Sequence, residues 1–220
     1  MVREIIRKIL MESFGKEMPF NEIYCDMDGV LVDFQAGIVS KINYMIDNPE
    51  LYADSKSFLK AYNQVQKDFG SDWRLPLDFD TRSHKGVGTI QFRAIGEDPG
   101  TFFRNLPALE DGIGLLWPFI NSLGKPVNIL SAPISGNGPG GTADDGKRDW
   151  IRSHGLNPIE TIIVPAEEKQ NWAVSQEGMP NLLIDDKLKT IEQWTSRGGI
   201  GIHHIPGNSR ASITKIKGYM

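Results

Sequence analysis

The chain has little cysteine, no long apolar run and no clustered positive charge. Cys25 is the one cysteine in 220 residues. That leaves no partner for an internal disulfide and fits a cytoplasmic protein in a reducing compartment. No stretch of apolar residues is long enough to span a bilayer. The 24 Lys and Arg are outnumbered by 28 Asp and Glu, for a net charge of −4, and no long basic run occurs. An extended nucleic-acid groove needs many phosphate-neutralising cations, so this balance argues against one. It does not exclude a small phosphorylated substrate, which one local cluster can hold. With 40% hydrophobic and 24% charged residues, the composition is that of a soluble globular protein, long enough for one core or a core plus an appendage.

At the N-terminus, Val2, Ile5, Ile6 and Ile9 share one helical face, and Arg3, Glu4, Arg7, Lys8 and Glu12 take the other. The pattern predicts an amphipathic helix over 1–15. Its charges interrupt what a signal sequence would keep apolar. Such a helix packs on its own domain or on a second copy, so a homodimer is one expectation.

Texture divides the remainder. Between residues 35 and 105, Ile38, Ile42, Met45 and Ile46 have helical spacing, as do Phe58, Leu59, Tyr62, Val65 and Phe69. Loop signals such as Leu75-Pro76 and Asp98-Pro99-Gly100 break them up. This reads as a small, mostly helical cap inserted into a core formed by 20–34 and 106–220. In the core, short apolar strands at Ile23–Cys25, Val127–Leu130, Ile162–Val164, Leu182–Ile184 and Gly199–His203 alternate with helices at Asp111–Leu123, Lys147–His154, Asn171–Gln176 and Leu188–Ser196. That alternation predicts an α/β fold: a Rossmann-like parallel sheet flanked by helices. Ligands of such sheets bind beyond the carboxyl ends of the strands. The glycine-rich stretch Gly136–Gly141 lacks the Gly-Lys-Ser/Thr ending of a P-loop and reads as a flexible loop.

Chemistry collects at the strand ends. Asp26-Met27-Asp28-Gly29-Val30 follows the first strand directly. Strands disfavour Asp and like charges repel, so such a pair suits a cation or a reaction better than a fold. Ser131 follows the second strand, Lys169 comes shortly after the third, and Asp185-Asp186 follow the fourth. In a parallel sheet these converge on one rim. Cys25 precedes Asp26 on the opposite strand face and reads as a packed thiol.

This set resembles the four motifs of haloacid dehalogenase-like (HAD) hydrolases: Asp-x-Asp-Gly-Val, a Ser after an apolar strand, a Lys, and an acidic pair. Asp26 to Phe34, Phe102-Phe103 with Leu106-Pro107, Ser131 to Ile134, Lys147 with Trp150, and Leu182 to Asp186 are similar to the 5'(3')-deoxyribonucleotidase group. The resemblance implies a phosphatase acting on a small phosphate monoester, a nucleoside monophosphate by this likeness. Asp26 would be the nucleophile, Asp28 the acid/base, and Ser131 and Lys169 the phosphate and transition-state contacts. Phe34, Ala132 and Lys147 would bind substrate, with Trp73 and Phe92 as further aromatic candidates in the cap.

A phosphate monoester is a dianion that repels a carboxylate, by roughly 4 kcal/mol for unit charges about 4 Å apart at an effective dielectric of 20. A divalent cation reverses that sign. Magnesium suits ligands that are all oxygen. The implied ligands are Asp26, the backbone carbonyl of Asp28, and one or both of Asp185 and Asp186. Lys169 and Lys147 compete for the motif lysine, with Lys169 preferred. Two other functions fit the same residues: a polynucleotide 3'-phosphatase, and a non-catalytic interaction module on the same fold.

Overall fold

The computed structural model describes residues 18–70 and 73–220, so the helix expected over 1–15 lies outside the described residues. In chain order the elements are β1 (Ile23–Cys25), α1 (Phe34–Asp47), α2 (Lys56–Phe69), α3 (Lys85–Gly96), α4 (Pro99–Arg104), α5 (Trp117–Ser122), β2 (Val127–Ser131), β3 (Asn137–Gly138), β4 (Gly141–Thr142), α6 (Ala143–Ser153), β5 (Thr161–Ile163), β6 (Leu182–Asp185), α7 (Leu188–Ser196), β7 (Ile200–His203) and α8 (Ser209–Lys217). Among the described residues, no helix is long and apolar enough to cross a membrane.

The chain divides into two compact units. The first holds residues 18–31, Leu109–Ser131 and Pro158–Met220. Its five-stranded sheet runs β5-β2-β1-β6-β7, all parallel, as the alternating apolar runs predict. The expected strands are all present, with ends shifted by a residue or so. β1 is central: Cys25 is level with Ile129 of β2 and Ile184 of β6. Strand order reverses beside it, where open α/β sheets bind their ligands. β1, β2 and β6 are buried throughout. Tyr24, Leu130 and Leu183 form a core with Ile191 and Trp194 of α7 and with Ala173.

Two elements of this unit depart from expectation. The helix expected at Asn171–Gln176 is instead a 3-10 turn at Ala166–Trp172, which carries Lys169. The helix expected at Asp111–Leu123 opens as a π turn over Gly112–Leu116. A Cβ at Gly112 would collide with the carbonyl of Val30, so the chain passes close there.

The second unit holds Val32–Ala108 and Ala132–Asn157. The ends of the insertion are tied by an antiparallel bridge between Val32 and Ala108 and by Asp33 N donating to Pro107 O at 2.8 Å. Asp33 and Ser55 cap α1 and α2 through their side-chain oxygens. Asp98-Pro99-Gly100, read as a loop signal, starts α4: Asp98 caps it and Pro99 occupies the first turn, where its missing N–H is no loss. The glycine-rich stretch forms the β3-β4 hairpin. α6 begins at Ala143 rather than near Lys147, because Thr142 and Asp145 form a reciprocal capping box. It ends at Gly155, whose φ of 67° is the left-handed conformation usual at that position.

Candidate active site

β1 delivers Asp26 to the rim of the sheet. Asp26 N donates to Ile184 O at 2.8 Å, which continues the β1-β6 ladder one residue further. Asp26 Oδ1 accepts from Met27 N at 2.8 Å. The chain then wraps the Met27 carbonyl, which accepts from Val30 N at 3.3 Å and Leu31 N at 2.9 Å. Gly29 makes this turn with φ at 77°. Space also demands glycine there, since a Cβ would lie 2.7 Å from the Asp186 carboxyl carbon.

On the neighbouring strand, Asp185 is fully buried. Its Oδ1 accepts from Lys187 N at 2.8 Å and its Oδ2 from Lys169 Nζ at 2.7 Å. Lys169 Nζ also lies 3.0 Å from Asp26 Oδ1. The 3-10 turn after β5 thus places one ammonium between the carboxylates of β1 and β6. Asp26, Asp185 and Asp186 each offer an oxygen within 4.8 Å of the others. The Asp28 carboxylate is not among the three; the resemblance gives that residue's backbone carbonyl the ligand role. Ser131 ends β2 and is buried. The β1-β2 register carries it one residue beyond the level of Asp26.

Three ionised carboxylates against one ammonium leave a local charge of −2. Burial, then Asp26, pushes Asp185 up to about 6. Burial, then Asp26 and Asp185, pushes Asp186 up to about 7. Burial alone would lower the Lys169 ammonium, but Asp26 and Asp185 raise it well above the ordinary lysine value, so it stays charged. Asp186 Oδ1 is buried without a hydrogen-bond partner among the described residues. An excess of negative charge, an all-oxygen donor set and an orphaned buried carboxylate oxygen together fit a hard divalent cation.

Lys169 Nζ thus contacts both Asp26 and Asp185. Lys147 belongs to the second unit, fully buried in α6. Its Nζ donates to Ala132 O at 2.7 Å and lies 4.7 Å from the centroid of the Phe103 ring. Phe34 packs against Phe102 and Phe103, with centroids at 5.8 and 6.1 Å. The three expected substrate contacts Phe34, Ala132 and Lys147 therefore neighbour one another around Phe103. Trp73 is buried, whereas Phe92 is strongly exposed.

Sequence reasoning missed the supporting contacts. Gly29 serves Asp186 as well as its own turn, and Lys187 N fixes the Asp185 carboxylate. His203 Nε2 lies 3.1 Å from the Asp186 carbonyl oxygen, steadying backbone rather than adding a ligand. The glycine of Asp-Gly and the residue after the acidic pair were the available signals.

No protein-family model matches the sequence. No curated protein sequence matches it either. Solved structures do. A hydrolase from Streptococcus pneumoniae TIGR4 aligns with a TM-score of 0.52 at 12% identity, over 90% of this chain and 100% of that one. A HAD family hydrolase from Deinococcus radiodurans R1 with bound phosphate and sodium has a TM-score of 0.48 at 15% identity, over 91% and 89%. A HAD-hydrolase from Bacillus subtilis bound to magnesium has a TM-score of 0.47 at 12% identity, over 83% and 87%. At 12% identity the likeness to the Streptococcus pneumoniae hydrolase is one of fold alone.

Proposed function

We propose that this chain is a magnesium-dependent phosphatase acting on a small phosphate monoester through an aspartyl-phosphate. One observation supports this above all: Asp26 stands at the end of the central strand with Lys169, Asp185 and Asp186 gathered around it. Asp26, Asp185 and Asp186 would hold the cation, with the Asp28 carbonyl as a further ligand by resemblance. When bound, magnesium supplies positive charge that lets a phosphate dianion approach a carboxylate.

The chain's own groups account for the remaining steps. Asp26 attacks phosphorus as the bond to the ester oxygen breaks. Asp28 protonates the departing oxygen, then takes a proton from the water that cleaves the acyl-phosphate and regenerates Asp26. Ser131 donates a hydrogen bond to a phosphate oxygen, and Lys169 offsets charge that builds in the transition state.

A nucleoside monophosphate is the proposed substrate. This rests on the resemblance of Asp26–Phe34, Ser131–Ile134 and Leu182–Asp186 to the deoxyribonucleotidase group. The test is a panel of phosphate monoesters, including 5'-dTMP and a 3'-phosphorylated oligonucleotide, assayed with magnesium and with EDTA. Nucleotide turnover that requires magnesium is expected. Asp26→Asn is expected to fold and to lose at least about 1,000-fold in kcat, the scale of removing a covalent nucleophile. Activity undiminished in that variant would remove Asp26 from the mechanism.

A further inference from the structure

Helix α3 presents a surface that its own unit leaves open. Phe92 is 83% exposed on it, unusual for a ring of that size. Gly88 and Gly96 stand four residues before and after, one helical turn each way. A Cβ at Gly88 would meet only the Thr81 carbonyl, at 3.6 Å, and one at Gly96 would meet nothing within 4 Å. The ring therefore projects as a ridge between two hollows. A cavity of about 640 Å³ runs from Lys85 past Thr89 and Phe92 to Glu97. Another of about 290 Å³ lies on the side of Gln91, Ile95 and Ile134.

We propose that this surface binds a second copy of the chain, with the two α3 helices antiparallel across a two-fold axis near Ile90 and Gln91. Two features select that occupant. The first is shape: such a register sets each Phe92 over the partner helix at the level of Gly88, where the missing side chain leaves room for the ring. The second is charge. Lys85 opens α3 and Glu97 directly follows it, about 18 Å apart at 1.5 Å per residue. Antiparallel pairing brings each charged end level with the opposite one, twice. Glu97 is already anchored by Arg93 Nε at 2.7 Å. A two-fold contact must be self-complementary in this way, whereas an unrelated partner would have no need of it. One helix pair covers less than the roughly 800 Å² per partner of a standard interface, so the dimer is reversible and concentration-dependent.

Sedimentation velocity of the full chain from about 1 to 200 μM tests this, across the range in which weak interfaces associate. The wild type is expected to shift from monomer to dimer, and Phe92→Asp to remain monomeric with an unchanged circular dichroism spectrum. Lys85→Glu and Glu97→Lys are each expected to be monomeric alone, because like charges then face each other. Mixed together, they should form a heterodimer, which neither misfolding nor a merely structural role would produce. A wild type monomeric throughout, a dimer that survives Phe92→Asp, or a mixture that stays monomeric would each overturn the proposal.

Discussion

Asp186 concentrates the electrostatic tension of the site. Burial and two neighbouring carboxylates raise its pKa to about 7. The folded state therefore binds a proton that the unfolded chain, with an ordinary carboxylate near 4, has already released. The sign follows: in the absence of cation, this group's contribution falls as pH rises from about 4 to about 7, and it is least favourable above 7. Asp186→Asn removes that burden. In EDTA at pH 8 the variant is expected to melt a few degrees above the wild type, the scale of one or two kcal/mol in a chain of this length. The advantage should shrink as pH falls from 7 towards 4. In magnesium the order should reverse, because the variant loses a proposed ligand. Differential scanning fluorimetry across pH, with and without cation, checks both signs.

Gly29 offers a complementary test that changes no charge. Gly29→Ala adds a methyl that would press on the Asp186 carboxyl and forces a side chain into a left-handed conformation costing about 1–2 kcal/mol. The variant is expected to fold and to bind magnesium at least about tenfold more weakly by calorimetry, one factor of ten per 1.4 kcal/mol. Unchanged affinity would mean that the Asp186 position is not critical.

The acidic residues were legible because carboxylates at the ends of apolar strands have so few structural uses. The contact of Lys169 with two of them was not, because the course of the Ala166–Trp172 turn that brings its Nζ between Asp26 and Asp185 leaves no pattern in the sequence.

Elements were legible where side-chain pattern governs them and obscure where backbone contacts do. The sheet strands announced themselves as short apolar runs between turn residues. α3 did not, because Gly86, Gly88 and Gly96 lower its intrinsic helix propensity by about 1 kcal/mol each. Packing accounts for the first: a Cβ at Gly86 would sit 2.7 Å from Val65 Cγ2, so the glycine lets α2 and α3 approach. The 3-10 turn at Ala166–Trp172 is polar nearly throughout and has no apolar period to read. The start of α6 was hidden because Asp144, Asp145 and Gly146 look like loop, yet Asp145 is half of a capping box. Thr142 N and Oγ1 donate to Asp145 Oδ2 at 2.9 and 2.7 Å. Thr142→Ala should destabilise α6 by about 1 kcal/mol, seen as a lowered denaturation midpoint. No loss would mean that the tertiary contacts of α6 outweigh its cap.

For the whole molecule, a cation that binds only the folded chain stabilises it by mass action, about 2.7 kcal/mol at 100 times its dissociation constant. Magnesium should therefore raise the melting temperature of the wild type by several degrees and that of Asp185→Asn much less. Equal shifts in the two proteins would place the ion elsewhere. The fold class was legible from alternation of elements alone, since a parallel sheet is the one arrangement that buries so many short apolar runs between helices. Its strand order was not, because no residue pattern records which neighbours a three-residue strand will take.

Cys25 turns that central strand into its own reporter. It is the chain's single thiol, wholly buried one residue before Asp26, with its ionisation suppressed first by burial and then by Asp26. A thiol reagent in solution can reach it only when β1 leaves its neighbours. The speed of modification is thus a clock for that opening, already built in. If added magnesium slows the clock, the departure of the strand and the release of the ion are one event.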